Sequence, residues 1–255
     1  MEAIARKPYQ GVLNIIRFNW HFYVIAFASV IALLTAAPFM SNLMFWVCVS
    51  FAIGIITSTC ISLLVSHYVY DRSNLYDFEW LPELRWKGES IVNIHAGFDE
   101  TSAILKKTFP DSRLMVFDFY DPVKHTEISI ERARKAYPPF DGTNKITTGN
   151  LPVASNSAGL IMNIFALHEV RDHKERITFL RQQVAALGND GRVVVVEHLR
   201  DMPNLLAYNI GFFHFLSESE WNNNFQKAGL ALEKKFKVTP FISVFILQKV
   251  DGSTH

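Results

Sequence analysis

The chain has 255 residues, room for one domain plus an appendage. Its 25 basic and 24 acidic residues leave a net charge of +1, which removes any bulk electrostatic case for a nucleic-acid partner. Hydrophobic residues make up 49%, high for a soluble enzyme, and the excess lies near the N-terminus.

Phe22 to Phe39 carries no charge, and Leu43 to Tyr70 carries none apart from His67. Each stretch is long enough to cross roughly 30 Å of hydrocarbon. Residues 1–70 are therefore expected to form a two-helix transmembrane hairpin, with helices at about 20–39 and 43–70 and a tight turn at Pro38 to Asn42. The basic residues Arg6, Lys7 and Arg17 favour a cytoplasmic N-terminus, and two crossings return the chain to that side. A cleaved signal peptide is the competing reading, but the apolar length is double what its core needs. Trp20, Tyr23, Trp46, Tyr68 and Tyr70 read as interfacial anchors, and His67 as an interfacial residue without a catalytic role. The Ser/Thr row from Ser50 to Ser66 reads as helix packing or a polar groove, with packing favoured. Cys48 and Cys60 would lie roughly 18 Å apart on one helix, too far for a disulfide, and a reducing compartment is expected.

Residues 71–89 mix aromatics with charges: Tyr76, Phe78, Trp80 and Trp86 among Asp71, Arg72, Asp77, Glu79, Glu83 and Arg85. Two readings stay open, a segment lying on the membrane or over the mouth of the domain, and a solvated connector.

Residues 90–250 alternate strand and helix patterns, which predicts a doubly wound α/β sheet. Ser90 to His95 reads as the first strand, followed by a turn at Ala96-Gly97 and a helix from Thr101 to Phe109. Arg113 to Phe117 is the second strand and ends at Asp118. A helix over Glu127 to Tyr137 stops at Pro138-Pro139, and Lys145 to Thr148 is a short third strand. The apolar runs Leu160 to Leu167 and Val193 to Val196 are buried parallel strands. Between them Ile177, Leu180, Val184 and Leu187 mark a helix that Gly188-Asn189-Asp190-Gly191 stops. Ser219 to Ala228 is helical, and Leu230 to Val238 with Phe241 to Lys249 forms an antiparallel pair closing the sheet.

The strand ends carry the chemistry, because ligands of open α/β sheets bind along the carboxyl edge. Gly97 sits in the first strand-to-helix turn, and Asp118 ends the next strand twenty-one residues later. An acid about twenty residues beyond such a turn grips a ribose hydroxyl pair. The turn reads His95-Ala96-Gly97-Phe98-Asp99-Glu100, without GxGxxG, and its two carboxylates would repel a pyrophosphate. A nucleoside whose tail carries an ammonium and a sulfonium is welcome there. The pattern favours S-adenosylmethionine over NAD or ATP.

The chain resembles the class I S-adenosylmethionine-dependent methyltransferases, particularly their small-molecule and quinone-type branch. The likeness covers Ser90 to Lys249 and is clearest in Gly149-Asn150-Leu151-Pro152, in Ile164 to Asp172, and in Gly191 to His198. It implies a seven-stranded sheet and S-adenosyl-L-methionine as cofactor. It puts Asn93, His95 and Gly97 at the methionine part, Asp118 at the ribose with Asp121 as substitute, and Asn150 and Leu151 beside the adenine. Phe165 to His168 would line the far side. Two departures stand out: one glycine remains in the loop, and Asn93 replaces the acid that usually ends the first strand.

Methyl transfer to a hydroxyl or activated carbon needs positioning and, for some acceptors, a base near neutrality. His168 is the first candidate, with Glu197 and His198 at the end of the fifth strand and His214 in the aromatic run Phe212 to Phe215. Each has a structural alternative: a cap or backbone partner for His168, an ion-pair network with Arg200 for Glu197 and His198, and core packing for the phenylalanines. Glu169 has two open readings, capping a helix or pairing with Arg171, and touching substrate. A metal site from His168, Glu169, Glu197 and His198 lacks ligand spacing, so none is expected. The expected function is a membrane-anchored methyltransferase on the cytoplasmic face, acting on a lipophilic acceptor such as a quinone, a phenol or a lipid. The alternative is a catalytically silent, membrane-tethered scaffold. A homo-oligomer remains an open option.

Overall fold

A computed structural model describes residues 6–81, 90–125 and 127–250. Seven strands form one sheet in the order β3-β2-β1-β4-β5-β7-β6, the architecture the resemblance implies. They are β1 Ser90–His95, β2 Arg113–Asp118, β3 Asn144–Lys145, β4 Ala158–Ile164, β5 Leu187–His198, β6 Leu230–Thr239 and β7 Ile242–Lys249. The first five run parallel, and β7 pairs antiparallel with both β5 and β6. The chain order reverses between β1 and β4, so a crevice opens at their carboxyl ends.

Alternation along the strands builds two cores, because successive side chains point to opposite faces. Val92, Ile94, Phe117, Ile161, Val193, Val195 and Phe245 belong to one core. It is completed by α6 (His173–Ala186) through Phe179 and Leu180, and by α8 (Glu218–Ala228) through Trp221 and Phe225. Asp172 and Ser217 cap these helices by accepting backbone N–H groups, and Ser217 with Glu220 forms a full capping box. Ile91, Leu160, Met162, Val194, Val196 and Val244 form the other core. Its cover includes Leu105 of α4 (Ser102–Thr108) and the stretch from Leu75 to Leu81. Leu75, Tyr76, Phe78, Trp80 and Leu81 are all buried. This part of residues 71–89 is thus core packing, against the expectation of a solvated connector; Glu83, Arg85 and Trp86 lie outside the described residues.

Among the described residues, three α-helices precede the sheet: α1 Gln10–Phe18, α2 Trp20–Ala36 and α3 Asn42–His67. The helical stretches Trp20–Phe39 and Asn42–Arg72 are long and apolar enough to cross a membrane. No residue of α2 is buried, and in α3 only Cys48, Ala52 and Ser66 are. A soluble core helix would hide such a surface. Sequence pattern missed α1, which docks by its first turn: Asp71 accepts from the N–H groups of Gly11 and Val12 at 2.6 and 3.0 Å. A Cβ on Gly11 would lie 2.4 Å from Tyr70 Cβ, so only glycine permits that approach.

Two further differences have local causes. Helix α6 ends at Ala186 just ahead of Gly188, but the Gly188 to Gly191 stretch lies within β5 and shifts its register against β4, where a Cβ on Gly191 would meet the Ala158 carbonyl at 2.7 Å. A further helix, α7 (Met202–Tyr208), follows β5, capped by the Asp201 carboxylate and with Pro203 in its first turn.

Candidate functional site

The register sets His95 beside Asp118, so the ends of β1 and β2 deliver both to the mouth of the crevice. Gly97 turns the chain with φ +95°, a conformation that favours glycine. The Asp118 carboxylate takes the N–H of Tyr120 at 2.9 Å on one oxygen and Arg134 Nη1 at 2.5 Å on the other. Arg134 comes from α5 (Ile128–Ala136), and its guanidinium also lies against Gly97 and over the Tyr120 ring. His95 is buried between Asp99 and Asp118; burial outweighs both carboxylates and lowers its pKa. Glu100 is bound by Arg6 at 2.8 Å and by the Tyr76 hydroxyl at 3.0 Å.

A cavity of about 130 Å³ lies among Tyr76, His95, Phe98, Glu100, Phe165 and Glu169. A more open groove of about 520 Å³ runs along Tyr120, His125, Glu127, Glu131 and Arg134. Helix α5 separates the two, with Ile130 lining the cavity and Arg134 the groove.

Several expected cofactor residues are engaged elsewhere. Asn93 is buried and its amide donates to the hydroxyls of Thr101 and Ser102 at 2.9 and 2.8 Å, tying β1 to the start of α4. Asp121 accepts from the Val123 N–H and shapes its own turn. Leu151 packs in the core and donates its N–H to Gln182, while Asn150 is exposed and closes a bridge with Thr147. None of these four lines either space, and their observed contacts are structural ones. Of the expected cofactor residues, His95 and Phe165 line the cavity, while Gly97 and Asp118 lie at the adjoining strand ends, both in contact with Arg134.

The ends of β4 and β5 gather a second group. His168 Nδ1 lies 2.7 Å from Glu197, and its Nε2 lies 3.1 Å from Glu169. His214 joins from the 3₁₀ turn after α7, with Nδ1 2.6 Å from Glu127 and Nε2 3.4 Å from Glu169. Burial disfavours charge on His168, but Glu197 and Glu169 outweigh it and push its pKa up to about 10. The two histidines, in turn, hold the Glu169 carboxyl well below its ordinary range against the opposing effect of burial. At neutral pH His168 therefore holds its proton, which corrects its expected role as a general base.

His198 is corrected outright. Both its nitrogens are engaged, by Asn204 at 3.0 Å and by the Tyr70 hydroxyl at 2.7 Å, and Phe165 and Phe215 stack on its two faces. Burial lowers its pKa to about 4, so it serves as a neutral strut between sheet and hairpin. Glu197 pairs with His168 instead of Arg200, and Arg171 pairs with Glu127 instead of Glu169. Sequence reasoning missed Arg134 and the meeting of His214 with Glu169; both depend on how α5 and the turn after α7 fold back, which no local spacing encodes.

No family model matches the sequence, and no curated protein matches it. Solved structures do. A SAM-dependent methyltransferase from Aquifex aeolicus aligns with a TM-score of 0.51 at 14% identity, covering 76% of this chain and 98% of its own. The mitomycin 7-O-methyltransferase MmcR aligns at 0.50 and 17% identity over 97% of this chain and 74% of its own. LepI, in complex with SAH and a substrate analogue, aligns at 0.52 and 17% identity over 75% of this chain and 52% of its own. The fold is that of the class I methyltransferases.

Proposed function

We propose that the chain is a membrane-anchored, S-adenosylmethionine-dependent methyltransferase acting on a lipophilic acceptor. The observation that carries this reading is the paired placement of Asp118 and the Gly97 turn at the strand-order reversal. The donor set fits an adenosyl sulfonium: Asp118 offers the acceptor a ribose diol needs, and Glu100 and Glu169 offer negative charge to an ammonium and a sulfonium. The space fits only in part. The cavity is smaller than the roughly 300–1,000 Å³ usual for such ligands, and Arg134 fills the ribose position with its own N–H groups. Cavity and groove joined would reach that range, so binding requires the Arg134 side chain to swing out; it is about a quarter exposed.

When bound, the cofactor supplies an electrophilic methyl group. The residues of this chain then hold and shield. Asp118 orients the ribose, Phe165 and Ile164 keep water from the cavity, and the protonated His168 fixes Glu169 at its wall. Catalysis in this reading rests on positioning and desolvation.

The exposed apolar surface of α2 and α3 supports the bilayer as partner, with the domain on the cytoplasmic side. Met202, Leu206, Ile210 and Phe213 add a second exposed apolar row on α7 and the turn after it. Helix α7 packs against α3, and this contact supports a substrate mouth near lipid. The test is methyl transfer from labelled cofactor into a membrane lipid extract by the full chain in nanodiscs. Label in the organic phase supports the reading; label confined to the aqueous phase contradicts a lipophilic acceptor.

A second reading, a silent tethered scaffold, draws on one observation. The crevice carboxylates Asp118 and Glu100 are already neutralised by Arg134 and Arg6. Binding of S-adenosylhomocysteine by the Arg134→Ala variant separates the two.

A further inference from the structure

We propose that His168, Glu169 and His214 form a binding site for a divalent transition-metal ion, with zinc as the ion best suited to its ligands. His168 Nε2 and His214 Nε2 converge on the same Glu169 oxygen at 3.1 and 3.4 Å. All three ligand atoms lie within 4.8 Å of one another. Around a tetrahedral zinc with bonds of about 2.0–2.1 Å, neighbouring ligand atoms are roughly 3.3–3.4 Å apart. The two contacts to Glu169 match that spacing, and the histidine nitrogens draw together when the ion binds.

The support behind the ligands is a separate observation. Each imidazole turns its Nδ1 to a further carboxylate, Glu197 at 2.7 Å for His168 and Glu127 at 2.6 Å for His214. A carboxylate on the rear nitrogen fixes ring orientation and raises ligand basicity, the arrangement found behind metal-bound histidines. The Arg171 guanidinium lies on the outer side of this group, 3.1 Å from Glu127. Arg171 also touches both nitrogens of the His214 ring and must turn aside; its side chain is 46% exposed and has solvent to turn into.

Two histidines and one carboxylate leave a coordination position open, as catalytic zinc sites do. Glu169 also lines the crevice cavity, so the metal site borders the space proposed for the cofactor. The metal site stands whether or not the crevice binds a nucleoside.

The experiment is titration of metal-stripped full chain in detergent with Co²⁺, read by its visible d–d absorption, followed by displacement with Zn²⁺. One equivalent bound and displaced is the expected result. His214→Ala, whose side chain is a quarter exposed, and Glu169→Gln abolish stoichiometric binding. Glu197→Gln, a positioning change, weakens it about 10–100-fold, and the distant Glu233→Gln leaves it unchanged. Wild-type protein without the absorption, or His214→Ala protein binding as tightly as wild type, overturns the proposal.

Discussion

Two stretches of one sheet edge solve the problem of collected carboxylates differently. At the ends of β1 and β2, Asp118 and Glu100 are answered by arginines that arrive from elsewhere and remain partly exposed. At the ends of β4 and β5, Glu169 and Glu197 are answered by histidines, each braced by a carboxylate on its rear nitrogen. An arginine on a helix surface can leave and be replaced by a ligand's donors. Imidazoles braced from behind stay, and only a proton or a metal ion can change place between them. The first region is therefore a closed site that must open, and the second is already assembled.

The largest expected effect breaks the first half of that contrast. Asp118→Ala removes the charged acceptor for the ribose, a loss of about 1.5–3 kcal/mol, or roughly 10–100-fold in affinity for S-adenosylhomocysteine by calorimetry. Unchanged affinity would remove the ribose assignment.

Next comes pH. The folded pKa of His168, about 10, lies above its unfolded value of 6.5, so its contribution to stability is full below pH 6.5 and lost as pH rises toward 10. His198 behaves oppositely: with a folded value near 4, it costs stability as pH falls from 6.5 toward 4. Thermal unfolding temperature should fall on both flanks, and Glu197→Gln should flatten the alkaline flank alone. A flat alkaline flank in the wild type would contradict the coupling of His168 to its two carboxylates.

A smaller effect tests the strut between hairpin and sheet. Tyr70→Phe removes the hydrogen bond to His198, at about 1 kcal/mol, or roughly 2–4 °C in unfolding temperature. Smallest is Lys135→Ala at an exposed pair with Glu131, where no measurable change is expected.

How much of this could be read beforehand follows from range. The first strand was expected over Ser90 to His95 and lies there, because its apolar run is bounded by polar and glycine residues. The closing antiparallel pair was readable for the same reason, across Pro240. The Gly188 to Gly191 stretch marked the end of α6 but hid the bulge in β5, since two glycines and two polar residues describe a stop and a bulge equally well. At the crevice, Gly97 and Asp118 were legible because they end adjacent strands. Arg134 was not, because a helical arginine gives no sign of which acid it will reach. Asn150 and Leu151 followed the family pattern in sequence, yet Gln182 and the core claim Leu151.

The most direct test of the central claim is calorimetry of the full chain in detergent with S-adenosylhomocysteine, wild type against Arg134→Ala. Binding by both, tighter in the variant because no guanidinium competes for Asp118, is the predicted result. Heat from neither protein, with both folded, would contradict the cofactor site altogether.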